Sequence, residues 1–100
     1  MSYSLIRQAM LDKHQVHAGY QGRFRKMCPH TLGTKNGRRQ ALFFQFGGES
    51  RRGLPSEGDW RCLPVDELTD VSVHEGPWYG DDRYHPSQSC VAEVDVEVPH

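Results

Sequence analysis

The spacing of hydrophobic residues predicts one N-terminal helix followed by short strands. Over residues 4–14 apolar side chains recur every three or four positions, which is the period of an amphipathic helix. From Val16 to Tyr20 apolar and polar residues alternate, so a strand is expected there. Gln21-Gly22 predicts a tight turn, and Asn36-Gly37 is typical of the type I′ turn of a β-hairpin.

Two features of residues 23–30 disturb a regular strand. Phe24 and Met27 cannot share one face of a strand unless a bulge lies between them. Pro29 lacks a backbone N–H, so it is expected to place this strand at an edge or to end its ladder.

The rest of the chain predicts further strands and a barrel. Residues 41–46 are nearly continuously apolar, which favours a central strand covered on both sides, with the N-terminal helix as one cover. Further strands are expected at 60–63 and 71–73, with a helical turn at 64–68 between them. In the last segment Ala92, Val94, Val96 and Val98 are expected to point inward and the acidic residues between them outward. The predicted fold class is mainly β with one N-terminal helix, a small SH3-like or Sm-like barrel of about five to six antiparallel strands.

Composition narrows the class of protein. A chain of 100 residues, 36% of them hydrophobic, predicts a single folded domain over 1–100. No apolar run is long enough to cross a membrane, and no signal-peptide pattern opens the chain, so a cytoplasmic protein without membrane contact is expected. Cys28, Cys62 and Cys90 are widely separated, so we expect three small core residues rather than disulfides or a zinc site.

No catalytic or cofactor motif occurs in the chain. It contains no Gly-rich phosphate loop, nucleophile elbow or HExxH helix, so we predict no enzyme activity and no cofactor. The six histidines do not form a pattern that predicts a metal site, and a Cys28 nucleophile is disfavoured.

Charge is unevenly distributed along the chain. Residues 1–52 carry a net charge of +8 and residues 53–100 a net charge of −9. This asymmetry predicts either an anion-binding face or self-association through opposite poles. The alternative is that strands from both halves interleave and mix the charges over an ordinary surface.

The predicted ligand-binding residues surround one tyrosine of the first hairpin. Arginine offers a planar fork for carboxylate or phosphate, and a neighbouring phenol can stack on a ligand, so this set has the chemistry of an anion site. Gln45 and Arg61 interrupt apolar strands and must find polar partners, so they are added to the site. The candidate ligand-binding residues are Tyr20, Arg23, Arg25, His30, Gln45 and Arg61.

Ordinary structural roles for these residues stay open. The basic side chains of the hairpin could be a solvated strand face with Tyr20 half-buried. Arg61 could pair with Asp66 or Glu67, and Gln45 could satisfy a loop backbone. Five other basic residues are candidate nucleic-acid contacts, with plain solvation as the alternative: Lys26, Arg38, Arg39, Arg51 and Arg52.

Five segments of the chain resemble the WYL domain, a small Sm/SH3-like module of bacterial transcription regulators. The match covers roughly residues 5 to 75, and of the Trp-Tyr-Leu motif that names the family only Leu42 is retained. The matching segments are IRQAM at 6–10, VHAGY at 16–20, RKMCPHTLG at 25–33, QAL at 40–42 and WRCLPVDEL at 60–68. The resemblance implies a ligand-sensing or nucleic-acid-binding module whose pocket uses Tyr20, Arg25, His30 and Arg61. Family members are usually fused to a helix-turn-helix reader, which this chain does not contain.

Together these observations predict a small, non-catalytic regulatory module. Its expected partner is a nucleotide-like molecule or single-stranded nucleic acid. The alternative is a homo-oligomeric or protein-interaction module without a small-molecule ligand.

Overall fold

The computed structural model describes residues 2–49, 54–55, 58–80 and 88–98. Within them the chain forms one α-helix, one 3-10 turn and six strands, so the mainly β fold with an N-terminal helix is confirmed. The elements in chain order are α1 (Ser2–Asp12), β1 (Gln15–Tyr20), β2 (Arg23–Lys35), β3 (Arg38–Gly48), β4 (Asp59–Pro64), η1 (Val65–Glu67), β5 (Thr69–His74) and β6 (Glu93–Glu97). Helix α1 is too short and too polar to cross a membrane, and no other described helix could do so.

The six strands form one antiparallel sheet that curves into a small barrel-like body. Its order is β4-β3-β2-β1-β5, and β6 pairs with β2 beyond the end of β1. The long strand β2 makes this possible, because its first half pairs with β1 and its second half with β6. The predicted hairpin turns are confirmed: Gln21 and Gly22 join β1 to β2, and Asn36 and Gly37, with φ of 53° and 77°, join β2 to β3.

Strand β2 bends at two irregularities. The register against β3 shifts between Lys26 and Met27, but pairing with β1 is regular there, so Phe24, which is 50% exposed, and the buried Met27 lie on opposite faces. The prediction that Pro29 would lie at an edge or end the ladder is wrong, because β2 is central and continues to Lys35. A second register shift between Pro29 and Thr31 accommodates the missing donor.

The core lies between α1 and the concave face of the sheet. Ile6, Ala9 and Met10 are the buried residues of the helix, and they join a cluster that includes Met27 and Phe43. The helix lies nearest to β5 and β2, and Ala41 and Phe43 of the predicted central strand belong to the same buried cluster as its residues.

The inward pattern predicted for the last strand holds only at its end. Val98 is buried and Val96 half-buried, but Ala92 and Val94 are exposed, because Cys90 and Val91 fill the buried positions where the chain approaches β2. Asp95 of β6 accepts hydrogen bonds from the Tyr3 hydroxyl (2.7 Å) and from Arg7 Nε (3.2 Å). The basic and acidic halves of the chain therefore interleave, which was the alternative interpretation of the charge pattern.

Two of the three cysteines form a disulfide, so the prediction of three unpaired core cysteines is wrong. Cys62 of β4 and Cys90, which precedes β6, are bonded across a Cα–Cα distance of 5.6 Å. Their separation of 28 residues carries no sequence signature, because the pairing arises from the fold. Cys28 is free and buried, and burial raises the pKa of its thiol to about 11, which disfavours the thiolate that a nucleophile needs.

Candidate functional site

Two arginines from different strands meet at one glutamine. Arg25 of β2 is only 4% exposed, and its Nη1 donates to Gln45 Oε1 at 3.3 Å. Arg61 of β4 donates from Nε to the same oxygen at 3.3 Å. Arg25 and Arg61, called the arginine pair below, therefore share one neutral acceptor.

Gln45 is held in the orientation that serves both arginines. It is fully buried on β3, and its Nε2 donates to the backbone oxygens of Gly47 (3.0 Å) and Glu49 (2.9 Å). Since the amide nitrogen faces two carbonyl acceptors, the amide oxygen must face the guanidinium groups. The expectation that Gln45 satisfies a loop backbone holds together with its contact to the site.

Tyr20 covers one side of the arginine pair. The guanidinium carbon of Arg25 lies 5.2 Å from the centre of the Tyr20 ring, a cation–π distance. Tyr20 ends β1, is half-buried and packs against the core cluster. Arg23, directly opposite Tyr20, donates to the backbone oxygen of Gln21 at 3.4 Å.

The charge of Arg25 is not neutralised within the described part of the chain. Arg61 pairs with Asp59, Nη1 to Oδ2 at 3.1 Å, rather than with the predicted Asp66 or Glu67. Among the described residues no such carboxylate pairs with Arg25, and none of them provides a hydrogen-bond partner for its buried Nε. Burial lowers the pKa of Arg25, and the charges of Arg61 and Arg23 lower it further, yet a guanidinium stays protonated at neutral pH. An uncompensated buried cation is costly, so this is where an anion would be most stabilised.

His30 lies apart from the arginine pair. Its ring contacts Trp60, with centroids 4.8 Å apart, and Trp78 at 5.1 Å, while its Nε2 lies 3.0 Å from the backbone oxygen of Tyr79. Trp60 and Arg61 are neighbours on β4 and point to opposite faces of the sheet. The fold thus brings together five of the six predicted ligand-binding residues, with Arg23 at the margin, and places His30 on the other face.

The predicted nucleic-acid contacts do not form one patch. Lys26 lies beside Gly47 near one end of β3, whereas Arg38 and Arg39 begin that strand at its other end. Arg38 and Arg39 line a cleft of about 210 Å³ together with Pro64, Asp66 and Glu67, so carboxylates oppose them. Arg51 and Arg52 lie outside the described residues.

A row of aromatic and imidazole rings on the outer face of the sheet was missed by sequence reasoning. His17 of β1 stacks on His74 of β5, with centroids 3.9 Å apart, and its ring lies 5.9 Å from that of Phe24 and 6.4 Å from that of Phe46. Phe46 in turn lies 4.6 Å from Tyr79. We call His17, Phe24, Phe46, His74 and Tyr79 the aromatic row. Phe24 and Tyr79 are 50% and 41% exposed.

We expect the aromatic row to make the free energy of unfolding depend on pH, through His17. Burial lowers the pKa of His17, and His74 and Lys26 lower it further, while Gln15 Oε1 lies 3.3 Å from its Nε2. In the unfolded chain a histidine titrates near pH ~6.5, so below that pH the unfolded state binds more protons and stability falls. We expect urea denaturation to give a lower free energy of unfolding at about pH 5.5 than at about pH 7.5.

Two variants of the aromatic row test this assignment. His17→Gln should reduce the difference between the free energies of unfolding at these two pH values. His74→Gln should remove less of it, because burial, the larger cause, remains. If the free energy of unfolding of His17→Gln depends on pH as strongly as that of the parent, another group is responsible.

A further concavity lies beside the disulfide. It has a volume of about 330 Å³ and is lined by Lys35, Gln40, Leu42, Trp60, Cys62, Gln88, Ser89 and Cys90. The Lys35 ammonium already donates to the Ser89 backbone oxygen at 2.6 Å. Within the described ranges no three His, Cys, Asp or Glu side chains come together to hold a metal.

Comparison with known proteins gives no assignment for this chain. Neither a protein-family model, nor a curated protein, nor a solved structure matches it. The resemblance to WYL domains therefore stays a prediction that depends on the five matching segments of the sequence.

Proposed function

We propose that this domain is a non-catalytic regulatory module that binds a small, nucleotide-like anion at the arginine pair. In this proposal Arg61, whose side chain is 23% exposed, makes the first contact with the charged group. Arg25 adds positive potential from beneath, and Gln45 keeps both guanidinium groups in place. Tyr20, stacked on Arg25, is positioned to meet a flat ring of the same ligand.

One observation carries the proposal: Arg25 is buried without a carboxylate partner among the described residues. A structural arginine in a core is ordinarily compensated by an acidic side chain, because an unpaired buried charge is strongly destabilising. Here the described carboxylate of Asp59 pairs with Arg61, and the acceptor that both arginines share, Gln45, is neutral. A bound phosphate or carboxylate would supply the missing charge.

The test is the affinity of adenosine 5′-monophosphate and inorganic phosphate for the parent and for Arg25→Met, measured by titration calorimetry. Arg25→Met should weaken binding at least about tenfold, because it removes a charged hydrogen-bond donor and its field. Its folding should survive, since replacing a buried charge by an apolar side chain of similar length is often neutral or stabilising.

The matched control is Arg38→Met, which removes one positive charge at the far end of β3. It should leave the affinity unchanged, and uncharged adenosine should bind the parent more weakly than its monophosphate. Equal affinity in Arg25→Met and the parent would reject the arginine pair as the site. The homo-oligomer alternative gains no support from the charges, since Asp95 is already engaged by Tyr3 and Arg7 of its own chain.

A further inference from the structure

We propose that the aromatic row is a base-stacking platform for single-stranded nucleic acid. It lies on the outer face of the sheet, opposite the face that carries the arginine pair, so this proposal does not depend on the function proposed above. The two are tested by different variants.

The strands gather the row around His17. Phe46, Phe24, His17 and His74 come from four neighbouring strands, β3, β2, β1 and β5, and the His17 ring lies 3.9 Å from that of His74, 5.9 Å from that of Phe24 and 6.4 Å from that of Phe46. Tyr79 extends the row beyond Phe46. Rings presented by adjacent strands of an open sheet face are the arrangement on which successive unpaired bases stack.

The exposure of the row indicates that it is not simply core. Phe24 is half exposed, and Tyr79 is 41% exposed. His17 and Phe46 are half-buried between them, and exposed apolar side chains that cluster mark an interaction site more often than isolated ones do. His74 is exposed as well, and its Nε2 lies 2.8 Å from the Ser72 hydroxyl.

The charges beside the row favour nucleic acid over an acidic or neutral apolar partner. Lys26 lies directly opposite His17 in the β1–β2 ladder and on the same face as Phe24. Its charge is close enough to lower the pKa of His17. The row itself consists only of aromatic and imidazole rings and includes no carboxylate. A polyanion with exposed bases complements both properties.

Close packing beneath Lys26 supports the platform. Gly47 of β3 lies opposite Lys26, and a Cβ built there would stand 3.5 Å from Lys26 Cβ and 3.4 Å from its Cδ. The lysine stem therefore runs along the sheet surface next to the row, which positions the ammonium group for a phosphate between stacked bases.

The experiment is fluorescence anisotropy of a labelled oligothymidylate of about eight nucleotides, within the ~4–16-nucleotide range of small β-barrel sites. The parent should bind it more tightly than a duplex of the same length, whose bases are already stacked. Phe24→Ala and Phe46→Ala should each raise Kd at least about fivefold, the lower end of the contribution of one base-stacking residue. Lys26→Gln should reduce the slope of log K against log salt by about 0.7, the value for one phosphate contact in a single strand.

Two control variants distinguish the aromatic row from the rest of the protein surface. Leu11→Ala removes a similarly exposed apolar side chain from α1 and should leave Kd unchanged. Lys13→Gln, which removes an exposed positive charge directly after α1, should also leave it unchanged, so a change in Lys26→Gln reports on the row and not on net charge alone. Phe24 is exposed enough that its truncation should preserve the far-UV circular dichroism spectrum.

Several results would overturn the proposal. They are no binding of the oligonucleotide by the parent, equal affinity for duplex, and equal affinity in Phe24→Ala. A concentration-dependent increase in molecular mass that Phe24→Ala abolishes would instead identify a second copy of the chain as the occupant.

Discussion

Reduction of the Cys62–Cys90 disulfide is expected to lower the free energy of unfolding by roughly 3–4 kcal/mol, the chain-entropy value for a loop of this length. The cross-link spans 28 residues and joins β4 to the segment that enters β6. Without it the unfolded chain regains the entropy of that loop, while the folded contacts of β6 remain. A small domain has only about 5–15 kcal/mol of stability, so this loss is a large fraction of it.

Urea denaturation with and without a reductant measures this effect. The double variant Cys62→Ser/Cys90→Ser should unfold at the midpoint of the reduced parent and should not respond to reductant. Cys28→Ala should still respond, because Cys28 takes no part in the cross-link. Identical midpoints for the oxidised and reduced parent would show that the disulfide contributes nothing to stability.

The second large effect is expected at Gly33. This residue lies in β2 where β6 pairs with it, and a Cβ there would overlap the backbone oxygen of Glu93 and approach Val91 Cγ1 to 2.6 Å. The backbone of Glu93 cannot move aside as the end of a flexible side chain can. Gly33→Ala must therefore move β6 away from β2. The loss of this ladder and of the buried Val98 should cost about 3 kcal/mol.

Gly47→Ala is the matched control for Gly33→Ala. Gly47 also lies within a strand, but a Cβ there would meet only the Lys26 side chain, at 3.4 Å or more. It should change stability far less than Gly33→Ala. Hydrogen exchange should show faster amide exchange at Ala92 and Val98, which donate to Thr34 and His30 backbone oxygens, only in Gly33→Ala. Equal stability of the two variants would contradict the packing described for β6.

The local signals in the sequence predicted much of the fold. Asn36-Gly37 forms the predicted turn because Asn and Gly adopt positive φ at low cost, and in the first hairpin Gly22 does so beside Gln21. Phe24 and Met27 simply lie on opposite faces, and the register shift beside them is in the pairing with β3 alone. The prediction from Pro29 was wrong, because the register shift between Pro29 and Thr31 accommodates the missing N–H donor inside a central strand.

Sequence patterns did not predict which distant segments of the chain pair with each other. The Cys62–Cys90 bond depends on how β4 and β6 are placed, which no spacing rule encodes. Its presence also removes one argument for a cytoplasmic location, because the reducing cytosol rarely holds stable disulfides. The exposure of Val94 follows from the same placement, since Cys90 and Val91 occupy the buried positions instead.

The candidate site was predicted in part. Gln45 and Arg61 were identified because polar residues within apolar strands must find partners, and they find each other. His30 was grouped with Tyr20 by proximity in sequence, but its ring lies among Trp60 and Trp78 on the other face. The aromatic row has residues from four strands and the 75–80 segment, so only the sheet order reveals it.

The most direct test of the proposed function is an NMR titration of the arginine Nε–H signals with adenosine 5′-monophosphate. The signals of Arg25 and Arg61 should shift together and saturate with one affinity, since both donate to Gln45 and both face the added charge. Those of Arg38 and Arg39, at the far end of β3, should not follow them. Stationary Arg25 and Arg61 signals at millimolar ligand, or shifts confined to Arg38 and Arg39, would contradict anion binding at the arginine pair.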